Sequence, residues 1–185
     1  MIRLEYFSKE DFQQLIDWVP DASFIVQWSG PTFRYPLTNE QLATYLEGAN
    51  EPEASKYIFK VIDNGTNEVV GHVSLGKVDR NNHSARIGKV LVGAADSRGK
   101  GYGAQIIHAA LTFAFEKLNL HKVTLGVFDF NVSAIKCYEA AGFRRERILQ
   151  DVAKMGDEYW TQIEMEILAG EWAEKNDRRK RLGHN

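Results

Sequence analysis

The 185-residue sequence predicts an α/β fold of the α+β type, with a mixed, largely antiparallel central sheet of six to seven strands flanked by about four helices. Three observations carry that expectation. Alternating apolar segments joined by Asn-, Gly- and Asp-rich turns fill residues 56–92. A glycine-rich loop and a strongly amphipathic helix then lead into a further strand, and two strand-like runs close the chain around a Gly-Asp turn.

Taken in order, "IRLEYF" alternates apolar and polar residues and reads as a first strand. Ser8 with Asp11 three residues on resembles a capping box; Thr38 with Gln41 is a better one, opening a helix of about ten residues. "KYIFKVID", "EVVGHVSLGKV" and "ARIGKVLV" form an antiparallel meander, turned by "NGTN" and "DRNNHS". Within it, "VLV" (90–92) drops the alternation, as a strand buried on both faces does. Ile107, Leu111, Ala114 and Leu118 recur at helical spacing and predict a helix ending near Asn119. "KVTLGVFDF" is another strand, Ser133 is placed to cap a short helix, and Gly142 is placed to stop it. "FRRERILQDV" and "YWTQIEMEIL" make the closing hairpin. "FIVQWSGPTFRYPLT" (24–38) gathers aromatic residues around Gly30 and two prolines with little periodicity, and reads either as a substrate-covering loop or as an ordered surface turn.

With 44% hydrophobic and 26% charged residues the chain is expected to be one globular domain, residues 1–172, with a charged C-terminal tail at 173–185 whose "DRRKR" is a solvated end. A net charge of −2 gives no overall attraction to nucleic acid or anionic membrane, so neither is expected as a partner. The single cysteine, Cys137, excludes an intrachain disulfide. No apolar run approaches the ~20 residues of a membrane span, and the N-terminus lacks a signal-peptide core. A cytoplasmic monomer or homodimer is the expectation.

"RGKGYG" (98–103) lies between a strand and a helix. The first turn of a helix has unpaired N–H groups and the positive end of the macrodipole. Gly99, Gly101 and Gly103 remove the Cβ atoms that would hold an anion off those amides, while Arg98 and Lys100 add charge. A pyrophosphate suits the arrangement, although a tight connection would use the same glycines. Two known phosphate loops are excluded. Lys100 is followed by Gly101 rather than Ser or Thr, against a Walker A loop, and the G-x-G-x-G spacing departs from the dinucleotide fingerprint.

Arg98-x-x-Gly101-x-Gly103 resembles the R/Q-x-x-G-x-G/A signature of the GNAT N-acetyltransferases. Downstream, "NVSAIKCYEAAGF" (131–143) resembles that superfamily's N-x-x-A-x-x-x-Y-x-x-x-G-F segment in order and spacing. The resemblance covers about Val69 to Ile167, and the "RIGKVLV" strand and closing hairpin are similar to the branch containing ribosomal-protein N-terminal acetyltransferases. It implies an acetyl-CoA (coenzyme A) site in a notch between two splayed strands. The amides of Arg98, Gly99, Lys100, Gly101, Tyr102 and Gly103 would hold the pyrophosphate, and the backbone of Val90, Leu91 and Val92 would bond to the pantetheine arm. Asn131 would contact the cofactor, unless it serves only to cap. Tyr138 would protonate the departing thiolate, unless it is simply a core residue.

The implied reaction is transfer of an acetyl group to a primary amine, of a protein N-terminus or a small molecule, by direct attack on the thioester in a ternary complex. Backbone N–H groups near Leu91 and Val92 could stabilise the oxyanion that develops. The amine must be neutral: a lysine-like amine of pKa ~10.4 is about 0.04% neutral at pH 7, whereas an α-amine of pKa ~7.8 is about 14% neutral. "RIGKVLV" carries no carboxylate to act as base. His72 on the preceding strand is the substitute candidate, set against a purely structural histidine, with Asp129 next. No histidine lies near Cys137 in sequence, which argues against a thiol nucleophile. The five histidines (72, 83, 108, 121 and 184) include no close pair at ligand spacing, so no metal is expected. The rival class is a non-catalytic acyl-CoA-binding or sensing module; a phosphotransferase is disfavoured because no magnesium-binding Ser or Thr follows Lys100.

Overall fold

A computed structural model describes residues 1–93 and 95–183. Seven strands form one sheet: β1 (Ile2–Tyr6), β2 (Tyr57–Asp63), β3 (Val69–Asp79), β4 (Ser84–Val92), β5 (Lys122–Phe128), β6 (Arg144–Met155) and β7 (Glu158–Leu168), in the order β1-β2-β3-β4-β5-β7-β6. Only β4 and β5 run parallel, joined by the helix that follows the glycine loop; every other neighbouring pair is antiparallel. The helices are α1 (Phe12–Asp17), α2 (Ala22–Ser29), α3 (Asn39–Leu46), α4 (Tyr102–Thr112), α5 (Val132–Ala141) and α6 (Ala169–Arg181). Among the described residues no helix is long and apolar enough to cross a membrane.

Two apolar cores lie on opposite sides of the sheet. The larger joins Val61, Val73, Ile87 and Val123 of the strands to Ile106, Ile107 and Leu111 of α4, and to Trp172 of α6. The smaller packs α1 to α3, through Leu15, Ile25, Trp28 and Leu42, onto Phe7, Ile58 and Leu91. On β4, Ala85 and Ile87 belong to the larger core, yet further on Val90 and Val92 pack against it and Leu91 faces the smaller. Strand side chains alternate, so this change of parity requires one extra residue. The register contains it: Ser74 pairs with Gly88 and His72 with Leu91, so two steps on β3 oppose three on β4. Lys89 within the bulge takes φ of 51°. The lost alternation of "VLV" therefore marks a strand between two cores with a bulge immediately before it.

Several local expectations change. Residues 24–29, read as aperiodic, belong to α2, because Asp21 caps it by accepting from the Phe24 amide at 2.7 Å. The expected helix to Asn119 ends as α helix at Thr112 and continues as a π turn, Phe113–Lys117. Asn131, not Ser133, is the N-cap of α5, with its Oδ1 accepting from the Ala134 amide at 3.4 Å. The charged segment from residue 173 continues α6 as an exposed helix end, with Arg178, Arg179, Lys180 and Arg181 at the negative pole of its dipole. His184 lies outside the described residues.

Candidate active site

The hydrogen-bonded ladder between β4 and β5 has only three register pairs, ending at Arg86 with Thr124. Beyond it Ile87–Val92 and Leu125–Phe128 separate, which is the expected splay. Arg86 spans the end of the ladder, donating to both Glu164 carboxylate oxygens on β7 at 2.7 and 2.8 Å. It passes over Gly126, where an added Cβ would fall 2.5 Å from Arg86 Nη2 and 2.2 Å from Gln162 Nε2. Past this clamp lies a cleft of about 980 Å³, floored by Ile87–Val92 and Leu125–Phe128.

The glycine loop forms one end of the cleft. Gly99 and Gly101 have φ of +77° and +76°, the left-handed region, and no atom lies within 4 Å of either built Cβ position. Gly101 is the N-cap of α4, so the amides of Tyr102, Gly103 and Ala104 have no acceptor within the helix. Arg98 brings a cation to this end, and Lys136 of α5 also lines the cleft. Open space, unpaired amides and positive charge together fit a pyrophosphate. Arg98, Gly99, Gly101, Tyr102 and Gly103 line the cleft, whereas Lys100 is exposed outside it. The Tyr102 hydroxyl is engaged elsewhere, donating to the Asp63 carboxylate at the end of β2. That bond anchors the start of α4 to the sheet and leaves only the Tyr102 backbone for a ligand.

Val90, Leu91 and Val92 line the middle of the cleft with Asn131 and Tyr138. Lys89 and Val90 fall outside the register with β3, and both lie beyond the last β4–β5 pair. The bulge therefore presents main-chain groups to the cleft. Tyr138 follows Asn131 by seven residues, about two helical turns, so both sit on one face of α5. Its ring packs edge-on against Phe143 at 6.2 Å, and its hydroxyl has no protein partner among the described residues. Burial, with a smaller contribution from Cys137, pushes the phenol up to about 12, so it carries its proton at neutral pH. Cys137 is half-buried on the same wall, and burial raises its thiol, which opposes a nucleophilic thiolate.

His72 does not reach the cleft. It is 1% exposed, its Nε2 lies 3.1 Å from the Tyr45 hydroxyl, and Phe7 and Trp28 pack edge-on against its ring. Burial, then the Lys89 charge, lowers its pKa to about 3. The reason for this placement is the pleat: His72 lies on the β3 face covered by α1 to α3, directly opposite Leu91 in the register. The expectation of His72 as base is thus corrected to a buried structural histidine. Asp129 lies in a separate depression with Phe130 and Trp160, and its amide bonds the Thr161 carbonyl. Glu47, Glu51 and Glu53 are exposed and stand outside the cleft.

Phe24, Gln27 and Trp28, in the stretch read either as a substrate-covering loop or as a surface turn, line the cleft from α2, and Pro20, and Lys89 of the bulge, line it without having been expected. The available signal for Lys89 was a cation interrupting an apolar strand. Among the described residues no Asp, Glu or His lines the cleft.

The "Acetyltransferase (GNAT) domain" family matches residues 2–144. Relatives include the uncharacterized N-acetyltransferase YnaD of Bacillus subtilis, 24% identical over 166 residues covering 90% of this chain and 92% of the relative. The aminoglycoside N(6')-acetyltransferase type 1 of Klebsiella pneumoniae is 26% identical over 151 residues, 78% of this chain and 75% of the relative. Among solved structures, the Vibrio cholerae spermidine N-acetyltransferase in complex with CoA and spermine shares the fold, with a TM-score of 0.79 and 24% identity over 93% of this chain and 98% of that one. These names do not single out the ribosomal-protein branch. The family match, the splayed parallel strands and the glycine-capped helix agree, and the chain belongs to the GNAT acetyltransferases as an acetyl-CoA-dependent N-acetyltransferase.

Proposed function

We propose that the cleft acetylates a small primary amine that reaches it already neutral, with Tyr138 as the proton donor to sulfur. The absence of any carboxylate or imidazole among the described lining residues carries this reading. Without a base in place, an amine of low pKa meets the smallest cost of deprotonation, about 1 kcal/mol at pH 7 for an α-amine. The amides of residues 98–103 hold the pyrophosphate, Val90–Val92 align the pantetheine, and Asn131 closes that wall. Main-chain N–H groups at the bulge face the thioester oxygen as negative charge gathers there. Tyr138 Oη holds a proton through the physiological range and donates it as the carbon–sulfur bond breaks. The named relatives include polyamine and aminoglycoside acetyltransferases, which supports a small acceptor over the ribosomal-protein kinship drawn from the "RIGKVLV" strand. The single unpaired cysteine is compatible with a reducing cytoplasm.

Thiol release from acetyl-CoA, measured with a panel of small amines and with N-terminally free and blocked peptides, tests this reading. Turnover is expected with low-pKa amines and free α-amines. Coenzyme A binding without thiol release from any acceptor would instead support a non-catalytic acyl-CoA module, and faster acetylation of a blocked, lysine-containing peptide would reject the low-pKa acceptor.

A further inference from the structure

The acceptor end of the cleft carries a cation without a counter-ion. Lys89 is half-buried in the β4 bulge and lines the cleft, as do Phe24, Gln27 and Trp28 of α2. Its Nζ stands 5.2 Å over the Tyr45 ring. Among the described residues no carboxylate lies within 4 Å of it. The charges it feels are Lys56, Arg86 and Lys77, all positive, and Arg86 is already neutralised by Glu164. Burial, reinforced by those cations, lowers its ammonium to about 8, which leaves about nine in ten protonated at pH 7. A cation withdrawn from water with an aromatic face but no carboxylate beside it is under-compensated, and a ligand anion would complete the pairing. Its φ of 51° adds backbone strain, which the surrounding fold must hold in place.

The cofactor's phosphates are not that anion. The glycine loop and Arg98 already provide for them at the other end, and Lys89 stands three residues before Val92 on β4, roughly 10 Å back along the strand. A polycation is equally unsuited, since it would bring further positive charge to Lys89 where no described lining residue is acidic.

Resting on the acetyltransferase reading, we propose that Lys89 selects the acceptor: the amine acetylated is one that also carries a carboxylate, which pairs with Lys89 while its apolar part packs on Phe24 and Trp28. Free amino acids and short peptides share this chemistry.

The test compares L-phenylalanine with L-phenylalaninamide, glycyl-L-phenylalanine with its C-terminal amide, and spermidine as a polycation, by thiol release. The same acids and amides, as their N-acetyl products, are titrated into the protein–CoA complex and followed by tryptophan fluorescence. Wild-type protein is expected to favour at least one carboxylate over its amide by about 10- to 100-fold in KM or Kd, as for a charge-assisted hydrogen bond. The pair that shows it distinguishes amino acid from peptide. Lys89→Met is expected to erase the ratio and Lys89→Arg to retain it; using a ratio cancels the differing basicity of the amines. Equal use of acid and amide, preference for spermidine, or an unchanged ratio in Lys89→Met overturns the proposal even if turnover is brisk. Carboxylate-selective binding lost in Lys89→Met, without thiol release from any amine, would uphold it while removing the catalytic reading. Should Lys89→Met fail to fold, the wild-type acid-to-amide ratio in Kd for the N-acetyl products, which carry no titrating amine, still decides.

Discussion

Replacing Gly101 with alanine separates the backbone role of the glycine loop from its role in binding. Gly101 has φ of +76° with no atom within 4 Å of the built Cβ, so the methyl meets no protein clash. What remains is the left-handed backbone penalty, about 1–2 kcal/mol for a residue with Cβ. For a chain of this size that corresponds to a fall of about 2–8 °C in Tm. Gly48 provides the control: its φ is +69°, its built Cβ is equally unobstructed, and it lies outside the cleft. Gly48→Ala and Gly101→Ala should therefore lose similar stability in calorimetry without ligand. They should differ with coenzyme A. At Gly101 the methyl occupies the space where the pyrophosphate approaches the α4 amides, and losing one charge-assisted hydrogen bond costs about 1.5–3 kcal/mol. Isothermal titration should then give a Kd about 10- to 160-fold weaker for Gly101→Ala and unchanged for Gly48→Ala. Normal coenzyme A affinity in Gly101→Ala, or equal weakening in both variants, would refute the anion cradle.

Tyr138→Phe should leave coenzyme A affinity within about twofold and lower kcat by about 100-fold or more, as expected for loss of a general acid. Because burial raises the phenol to about 12, the wild-type rate should show no decline from its titration below about pH 11; a kcat within threefold of wild type in the variant would end the proton-donor role. His72 should govern stability rather than turnover. Its folded pKa, about 3, lies below the unfolded value of about 6.5, so the unfolded chain binds the extra proton between them. The contribution is present above pH 6.5 and is lost as pH falls toward 3, making the protein about 2 kcal/mol less stable at pH 5 than at pH 7 on this account. Urea melts of His72→Gln should show that difference removed, and loss of turnover in a fully folded His72→Gln protein would restore the histidine as a base.

The sheet was legible because its signals are local. Alternation and turn residues identify β1 to β4 and the β6–β7 hairpin, and the glycine loop announces α4 before its ladder partners are known. The cleft wall at Val90–Val92, Asn131 and Tyr138 was legible through the family resemblance, whose segment 131–143 has a spacing that local chain geometry preserves. The rest depends on long-range packing. Whether His72 faces the cleft or the α1–α3 layer is set by the register of β3 against β4, and a residue of either orientation looks the same in an alternating strand. Asn131 displaced Ser133 as the cap because the chain turns into α5 two residues earlier than the serine suggests. The α2 wall was hidden for another reason. Phe24 and Trp28, four residues apart, stack at 6.5 Å on one face of α2, but that spacing carries no signal until residues 24–29 are known to be helical.

The position of the site follows from two interruptions that meet on β4. The parallel pairing with β5 stops after Arg86, and the antiparallel pairing with β3 loses its register after Gly88. Either break alone would leave a strand still bonded along one edge. Together they leave Lys89 and Val90 in neither register, on a strand held between two cores and therefore unable to relax toward solvent. Unsatisfied backbone groups in such a place are costly unless something else pairs with them. A pantetheine amide and the oxygen of a thioester are suitable partners, and they arrive along the same open edge from the glycine loop. The chemistry assigned to this centre is carried mostly by main-chain atoms, which need a bulge and a splay rather than particular side chains. A bulge and a splay are features of the fold, and the fold is what a 24% identical protein shares over 93% of this chain.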